Sequence, residues 1–176
     1  MKPGITATML DKLVVDANML LAALRGGRTL ERIERLQAAE VVLYVPEPMK
    51  LKVDKHLPRL IERSFQARGA SATELEEHLS NARRVWTRMQ TAMIVTSTEA
   101  YQPFEEMARR RVPHDPDDWP CVALALALGA SIFTDNVRHL GRSGIGVWDS
   151  STVDVLIEEL EDALERQKAE GQKKPE

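Results

Sequence analysis

Short apolar runs alternate along the chain with segments of helical periodicity, and this alternation restricts the fold more than any other feature. The runs are rich in β-branched residues and are predicted to be strands: 12–16, 41–45, 93–96, 131–134 and, more briefly, 145–148. Strands that are apolar throughout are usually buried on both faces, and strands separated by helices are usually parallel. The sequence therefore predicts an α/β fold, a doubly wound parallel sheet of four to five strands with helices on both faces.

The segments between the runs carry apolar residues at helical spacing. They are 28–40, 73–90, 120–128 and 151–166. The third of these is almost wholly apolar and ends at Gly129, a natural helix stop. Residues 48–91 are long for a single crossover, so we expect them to form a helical hairpin that turns near Gly69.

Composition and charge limit the classes of protein that fit. No repeat or linker divides the chain, so we expect a single domain over residues 1–167 and a disordered tail at 168–176. A single cysteine excludes an internal disulfide and agrees with a reducing compartment. With no signal-peptide core and no membrane-length apolar run, the sequence predicts a cytoplasmic protein that is not in a membrane. The net charge of −3 means that a nucleic acid would have to be bound by a local basic patch.

Acidic and polar residues follow several of the predicted strands. In an open parallel sheet, functional groups collect at the carboxyl ends of the strands, where the N-termini of the next helices also lie. The topology therefore directs residues from distant parts of the chain to one edge. They are Asp16 after the first strand, Glu47 after the second, Asp135 and Asn136 after the fourth, and Asp115, Asp117 and Asp118 at the start of the helix at 120–128.

Carboxylates that converge in one pocket repel each other and stay ionised together only when a cation neutralises them. Oxygen-rich sites suit Mg²⁺ or Mn²⁺, which keep several waters and bridge to phosphate oxygens. A metal-bound water is a competent nucleophile near neutral pH. The chemistry that this pattern implies is hydrolysis of a phosphodiester.

Each of these acids also has a structural interpretation. Asp115 precedes a proline and is a natural helix cap, and Asp118 lies where the helix dipole stabilises an acid. Asp16 can cap the next helix, Asp135 can be a turn residue, and Glu47 lies between two prolines. His114 and His139 are not at metal-ligand spacing and are expected to be exposed polar residues, and Cys121 is expected to be in the core.

Two segments together resemble the PIN-domain family, which includes the VapC-like ribonucleases. KLVVDANMLLAAL, residues 12–24, is similar to the opening strand, aspartate and polar turn of that family. DPDDWPCVALALALGASIFTDN, residues 115–136, is similar to its third acidic position, alanine-rich helix and threonine-bearing strand. The resemblance covers most of residues 11–157. It implies a parallel sheet of order 3-2-1-4-5 and ribonuclease activity that depends on Mg²⁺ or Mn²⁺. Members of the family often act as the toxin of a toxin–antitoxin pair and often form dimers, so the resemblance implies an antitoxin partner and a homodimer.

The resemblance also implies roles for particular residues. Asp16 corresponds to the first acid of the family and Asp118 to the third. The position of the second acid, about one turn into the helix after the second strand, is occupied by Lys52. Glu47 lies earlier and Asp54 later, and either can substitute if the register shifts.

The fourth acidic position of the family is Asn136 here, and Asp135 stands one residue before it. Asparagine can still offer its carbonyl oxygen, so both residues are candidate ligands, and Asp135 is a candidate catalytic residue beside Asp16 and Asp118. Four residues are expected to support the pocket: Asn18, Glu47, Asp115 and Thr134. Arg138, at the rim, is expected to contact RNA phosphates.

The sequence leaves two functions open. The first is a metal-dependent ribonuclease that acts on single-stranded or looped RNA. The second is a catalytically silent PIN-like module that binds RNA or a protein partner, and Lys52 in the acidic pocket favours it. Phosphoryl transfer through an aspartyl phosphate fits less well, because Asp16 has no Asp-x-Asp partner and no lysine follows Thr134 before Lys168. A nucleotide-binding fold is disfavoured, because no glycine-rich phosphate loop follows the first strand.

Overall fold

Five parallel strands form one sheet in the order β3-β2-β1-β4-β5, which confirms the predicted fold class and strand order. The structure is a computed structural model, and it describes residues 11–171. The strands are β1 Lys12–Val15, β2 Val42–Pro46, β3 Ile94–Thr96, β4 Ser131–Phe133 and β5 Val147–Trp148. Because β1 lies in the middle of the sheet, its residues Leu13, Val14 and Val15 are completely buried.

Helices cover both faces of the sheet. Within residues 11–171 they are α1 Ala17–Leu24, α2 Arg28–Ala38, α3 Glu47–Gln66, α4 Ala72–Thr91, α5 Glu105–Arg111, α6 Trp119–Leu128, α7 Val137–Leu140 and α8 Val153–Gly171. The short helices α5 and α7 were not predicted, since their periodic patterns are too brief to detect. Over the same residues, none of the helices has both the length and the apolar character that crossing a membrane requires.

The C-terminal helix extends further than the sequence predicted. Residues 168–171 belong to α8, whereas the predicted disordered tail began at 168; residues 172–176 lie outside the described part of the chain. Bidentate hydrogen bonds from Arg32 to Asp154, at 2.9 and 2.7 Å, and from Arg35 to Glu161, at the same two distances, hold α8 against α2. These contacts order the first half of α8, and the helix continues beyond them.

Helix α6 is apolar on all sides, as expected for a helix that is largely buried. It packs against β1, β2 and α5. Its N-terminal half, including Cys121, is buried, as predicted for that cysteine. The helix ends at Gly129, which adopts a left-handed conformation with φ of 62° that favours glycine. This helix fixes the position of the acidic turn that precedes it.

Helices α3 and α4 form the predicted hairpin. A Ser71–Glu74 capping box starts α4, and both helices bury apolar residues along one side. Between them, the Trp86 indole N–H donates to Asp54 Oδ1 at 2.7 Å, and Lys50 Nζ lies 2.7 Å from Asp54 Oδ2. The carboxylate of Asp54 therefore ties the two helices together.

The Asp54 contact can be tested by mutation. We expect Asp54→Ala to lower the free energy of unfolding by about 1–2 kcal/mol, because it leaves the indole N–H of the buried Trp86 without a partner. The control Lys50→Ala removes only the more exposed ion pair and should cost less than about 1 kcal/mol. Urea unfolding of the two variants measures the difference. Equal losses would show that the indole bond contributes nothing.

Candidate metal centre

Asp16 lies directly after β1, at the carboxyl edge of the sheet, and is only 2% exposed. The neighbouring strand β4 ends at the same edge and brings Thr134 beside it. Thr134 Oγ1 donates to Asp16 Oδ2 at 2.9 Å and accepts the backbone N–H of Asn136 at 3.0 Å. The pairing of β1 with β4 therefore holds the Asp16 carboxylate in one orientation.

Asp118 reaches the same edge from the start of α6. The helix begins at Trp119, and the Asp118 carboxylate makes no capping bond to it. Its Oδ2 atom instead accepts a hydrogen bond from Asn136 Nδ2 at 3.0 Å. Asn136 therefore presents its N–H group to the centre, and its role in this geometry is to orient Asp118.

Asp115 does not cap α6, contrary to the structural interpretation of its sequence position. The helix starts four residues later, with a proline at its second position. Asp115 Oδ1 accepts the backbone N–H of Asp117 at 3.0 Å and so stabilises the turn before the helix. Asp115 Oδ2 lies 3.5 Å from His139 Nδ1, and Asp118 Oδ2 lies 3.9 Å from the same nitrogen.

His139 joins the acidic centre, although the sequence predicted an exposed polar residue. One ligand atom each from Asp115, Asp118 and His139 lie within 4.8 Å of one another. His139 is half-buried on α7, three residues after Asn136. That spacing, one helical turn beyond the last candidate ligand, is the signal that could have identified it.

Burial and mutual repulsion act on the two buried carboxylates. Burial raises the pKa of Asp16, while the Thr134 hydrogen bond, the charge of Lys52 and the backbone amides of Ala17 and Asn18 lower it. The pKa of Asp118 rises to about 6, first because of burial and then because of the negative charges of Asp115 and Asp16. The folding of the chain therefore places negative charge where it is poorly solvated.

Lys52 is a cation of the chain whose charge acts on both buried acids. It is half-buried on α3, and its ammonium group lowers the pKa of both Asp16 and Asp118. Among residues 11–171 it has no carboxylate oxygen within 4.0 Å. Lys52 therefore offsets part of the negative charge from a distance, without forming an ion pair.

Three other acids named from the sequence lie outside this group. Both Asp135 oxygens accept hydrogen bonds from Ser150, from its N–H at 2.7 Å and its hydroxyl at 2.8 Å, and the residue is exposed. Asp54 is bonded to the α3–α4 hairpin as described above. Glu47 is exposed in the first turn of α3. None of the three belongs to the group of Asp115, Asp118 and His139, and the position that the resemblance assigns to the second acid of the family is Lys52.

The remaining named residues lie at the rim. Asn18 is exposed and lines a groove along α3. Arg138 is exposed on α7 and lines a cavity that also includes Asp115 and His139. Both can contact a ligand that covers the acidic centre.

The donor set at this edge fits a divalent cation. Carboxylates and a histidine nitrogen are metal ligands, and a bound cation would relieve the repulsion that raises the pKa of Asp118.

A family model described as the PIN domain matches residues 14–158. The chain belongs to the PIN-domain family. A comparison with curated proteins gives no match.

Membership of the PIN family indicates a nuclease-type function on a nucleic-acid substrate, because PIN domains are generally metal-dependent nucleases. The acidic centre of this PIN domain lies within the matched residues. Asp115, Asp118 and His139 lie close together there, and Asp16 is linked to Asp118 through Thr134 and Asn136. Lys52 stands where the resemblance implied an acid.

The raised pKa of Asp118 makes the stability of this PIN domain depend on pH. The folded-state pKa is about 6 and the unfolded value 3.8, so between these values the folded state retains a proton that the unfolded state has lost. The ionised carboxylate therefore destabilises the fold. This loss of stability is absent below about pH 4, grows as the pH rises and is fully present above about pH 6. With a chelator present, we expect Asp118→Asn to melt at a higher temperature than the wild type near neutral pH, and the difference to vanish toward pH 4.

The matched control is Asp117→Asn, the same change of charge on an exposed neighbour, which should not raise the melting temperature. Thermal melts across this pH range measure both variants. If Asp118→Asn is no more stable than the wild type at neutral pH, burial of the ionised Asp118 carboxylate does not destabilise the fold.

Proposed function

We propose that this PIN domain is a metal-dependent ribonuclease that hydrolyses RNA phosphodiester bonds. Asp16 and Asp118 hold the cation, and Asp115 and His139 complete the donor set. The observation that carries this proposal is that two buried carboxylates, Asp16 after β1 and Asp118 before α6, are joined through Thr134 and Asn136 at one strand-end edge. Such a pair is costly for folding, which argues for a role in binding rather than in stability.

A bound divalent cation would supply an activated water and would stabilise the charge that develops on the phosphate. The residues of the chain prepare the site for it. Thr134 orients Asp16, and Asn136 orients Asp118 through its side-chain amide. These two polar residues keep the carboxylates aimed at one place before any substrate binds.

The metal is expected to be Mg²⁺ or Mn²⁺, and the histidine favours Mn²⁺. Mg²⁺ prefers oxygen ligands only, whereas imidazole suits transition metals. Asn136 faces the centre with its N–H group, so the fourth family position contributes no oxygen in this arrangement. RNA as the substrate comes from the family resemblance, and a strand-end site is best reached by an unpaired, splayed backbone.

The roles of the carboxylates are tested by replacing Asp16. We expect Asp16→Asn to fold normally but to lose Mn²⁺ binding, measured by calorimetry, and cleavage of a single-stranded RNA. The loss of rate should exceed about 100-fold, because changing a residue that only orients a metal ligand already costs roughly 10–100-fold. Asp117→Asn is the matched control and should keep both properties.

Asp135→Asn in the same assays decides the role of the exposed acid next to Asn136. Because both Asp135 oxygens are bonded to Ser150, we expect this variant to cleave RNA at the wild-type rate. An Asp16→Asn protein with full activity would rule out the proposed metal centre. A loss of activity in Asp135→Asn would show that Asp135 takes part in catalysis, as the sequence predicted.

A catalytically silent PIN module is the second candidate, and Lys52 is the observation that favours it. Its ammonium group already offsets charge on Asp16 and Asp118, so it competes electrostatically with a metal ion. Mn²⁺ that binds the folded state must raise the melting temperature. No shift at millimolar Mn²⁺ would favour the silent module.

Replacing Lys52 tests this competition directly. We expect Lys52→Glu to bind Mn²⁺ at least about tenfold more tightly than the wild type, because the charge of the ligand set tunes affinity over orders of magnitude. Lys52→Met should be intermediate, and Lys55→Glu, the same change on an exposed residue of α3, should be close to the wild type. Calorimetry gives the four affinities. Equal values for Lys52→Glu and wild type would show that the ammonium group does not compete.

The toxin role, the antitoxin partner, the homodimer and the cytoplasmic location stay predictions from the sequence and the family resemblance. Light scattering of the purified chain distinguishes a monomer from a dimer. Growth arrest on expression of the wild type, but not of Asp16→Asn, would support the toxin role.

A further inference from the structure

Two basic surfaces meet at the acidic centre. The first, which we call the arginine cavity, has a volume of about 420 Å³. Its basic lining residues are Arg110, Arg111, His114, Arg138 and Arg142. Asp115 and His139 of the metal centre also line it, so the cavity opens onto that centre.

The cations of the arginine cavity differ in how they are held. Arg111 is fixed, because its Nη1 atom donates to the backbone oxygen of Ser143 at 2.9 Å. Arg110 is paired with Glu106. Arg138 and Arg142 are exposed, and in the described part of the chain neither has a carboxylate oxygen within 4.0 Å. These two guanidinium groups are free to bind an anion.

The second surface, which we call the α3 basic face, begins at the other side of the centre. Lys52, His56, Arg59 and Arg63 are spaced by four, three and four residues, which places them on one side of α3. They line a shallow groove together with Asn18 and Leu21 of α1. At 1.5 Å per residue, the face extends over roughly 16 Å, enough for several backbone phosphates.

Neutralisation by neighbouring acids does not account for the α3 basic face. Over residues 11–171, no carboxylate oxygen lies within 4.0 Å of Lys52, His56, Arg59 or Arg63. Elsewhere in residues 11–171 the arginines divide, because some are paired with acids and others, such as Arg83 and Arg84 on α4, have no carboxylate oxygen within 4.0 Å either. A chain of net charge −3 thus concentrates unpaired cations on both sides of its acidic centre.

We propose that a single strand of RNA crosses the acidic centre between these two surfaces, with its phosphates on Arg59 and Arg63 on one side and on Arg138 and Arg142 on the other. The inference rests on the proposed function and adds the path of the substrate. The basic residues contact phosphates, which position a strand without reading its sequence. Histidines line both surfaces, but no phenylalanine, tyrosine or tryptophan lines the arginine cavity or the groove, so binding there is expected to depend mainly on phosphate contacts.

The test compares three double variants with the same loss of charge. They are Arg59→Gln with Arg63→Gln, Arg138→Gln with Arg142→Gln, and the control Arg83→Gln with Arg84→Gln, exposed on α4 and outside both surfaces. Fluorescence anisotropy measures binding of a labelled, mixed-sequence single-stranded RNA in EDTA, where cleavage is blocked. Circular dichroism melts confirm that each variant folds.

The salt dependence of binding gives the decisive readout. Each phosphate contact contributes about 0.7 to the slope of log K against log salt for a single strand, so each surface variant should lose about 1.4 from that slope. The α4 control should keep the wild-type slope. If either surface variant keeps the wild-type slope, the RNA does not contact both surfaces and the proposal is wrong. The proposal is also wrong if an RNA duplex of the same sequence binds as tightly as the single strand.

Two further arms separate this inference from its alternatives. Polyglutamate that displaces the RNA at an equal concentration of charge would assign the surfaces to an acidic protein partner and overturn the RNA path. Cleavage of the same RNA in Mn²⁺ is measured separately. If the wild type cleaves the RNA but both surface variants keep the wild-type salt slope, the proposed RNA path is wrong and the ribonuclease activity is supported. If the slopes fall but no RNA is cleaved, the RNA path is supported and the proposed ribonuclease activity is wrong.

Discussion

A chain of three hydrogen bonds joins the two buried acids of this PIN domain, and the rest of the centre depends on it. Asp16 accepts from Thr134, Thr134 accepts from the backbone of Asn136, and the Asn136 amide donates to Asp118. The chain exists because β1 and β4 are adjacent and parallel, so that both strands end at the same edge. Without this link, repulsion between the carboxylates would turn them apart toward solvent.

Concentrated negative charge at one edge requires a compensating cation, and the structure offers two solutions. One would be a divalent ion bound by the group of Asp115, Asp118 and His139, whose ligand atoms lie within 4.8 Å of one another. The other is Lys52, which the chain places near the same acids. A lysine so positioned reduces the destabilisation of the metal-free protein and also weakens the attraction for a metal. Stability and metal affinity are therefore opposed at this position.

The arginines of this PIN domain differ in whether they are paired with acids. Several arginines are bonded to acids on neighbouring turns or helices: Arg32, Arg35, Arg88, Arg109 and Arg110. Those of the α3 basic face, and two in the arginine cavity, are not. Sequence clustering did not predict this division, because the run 109–111 contains two paired arginines and one that is fixed to a backbone oxygen.

The sequence by itself determined the parallel sheet and the placement of Asp16, Thr134 and Asp118 at one edge, whereas the strand order was implied by the resemblance to the PIN family. It could do so because β-branched runs alternate with helical segments and because parallel topology brings strand ends together. Only the tertiary structure decided that His139 joins the centre and that Asp135 turns toward Ser150. Both features depend on the direction in which a side chain leaves its turn. Contacts between residues far apart in the chain set that direction, so the local sequence pattern cannot predict it.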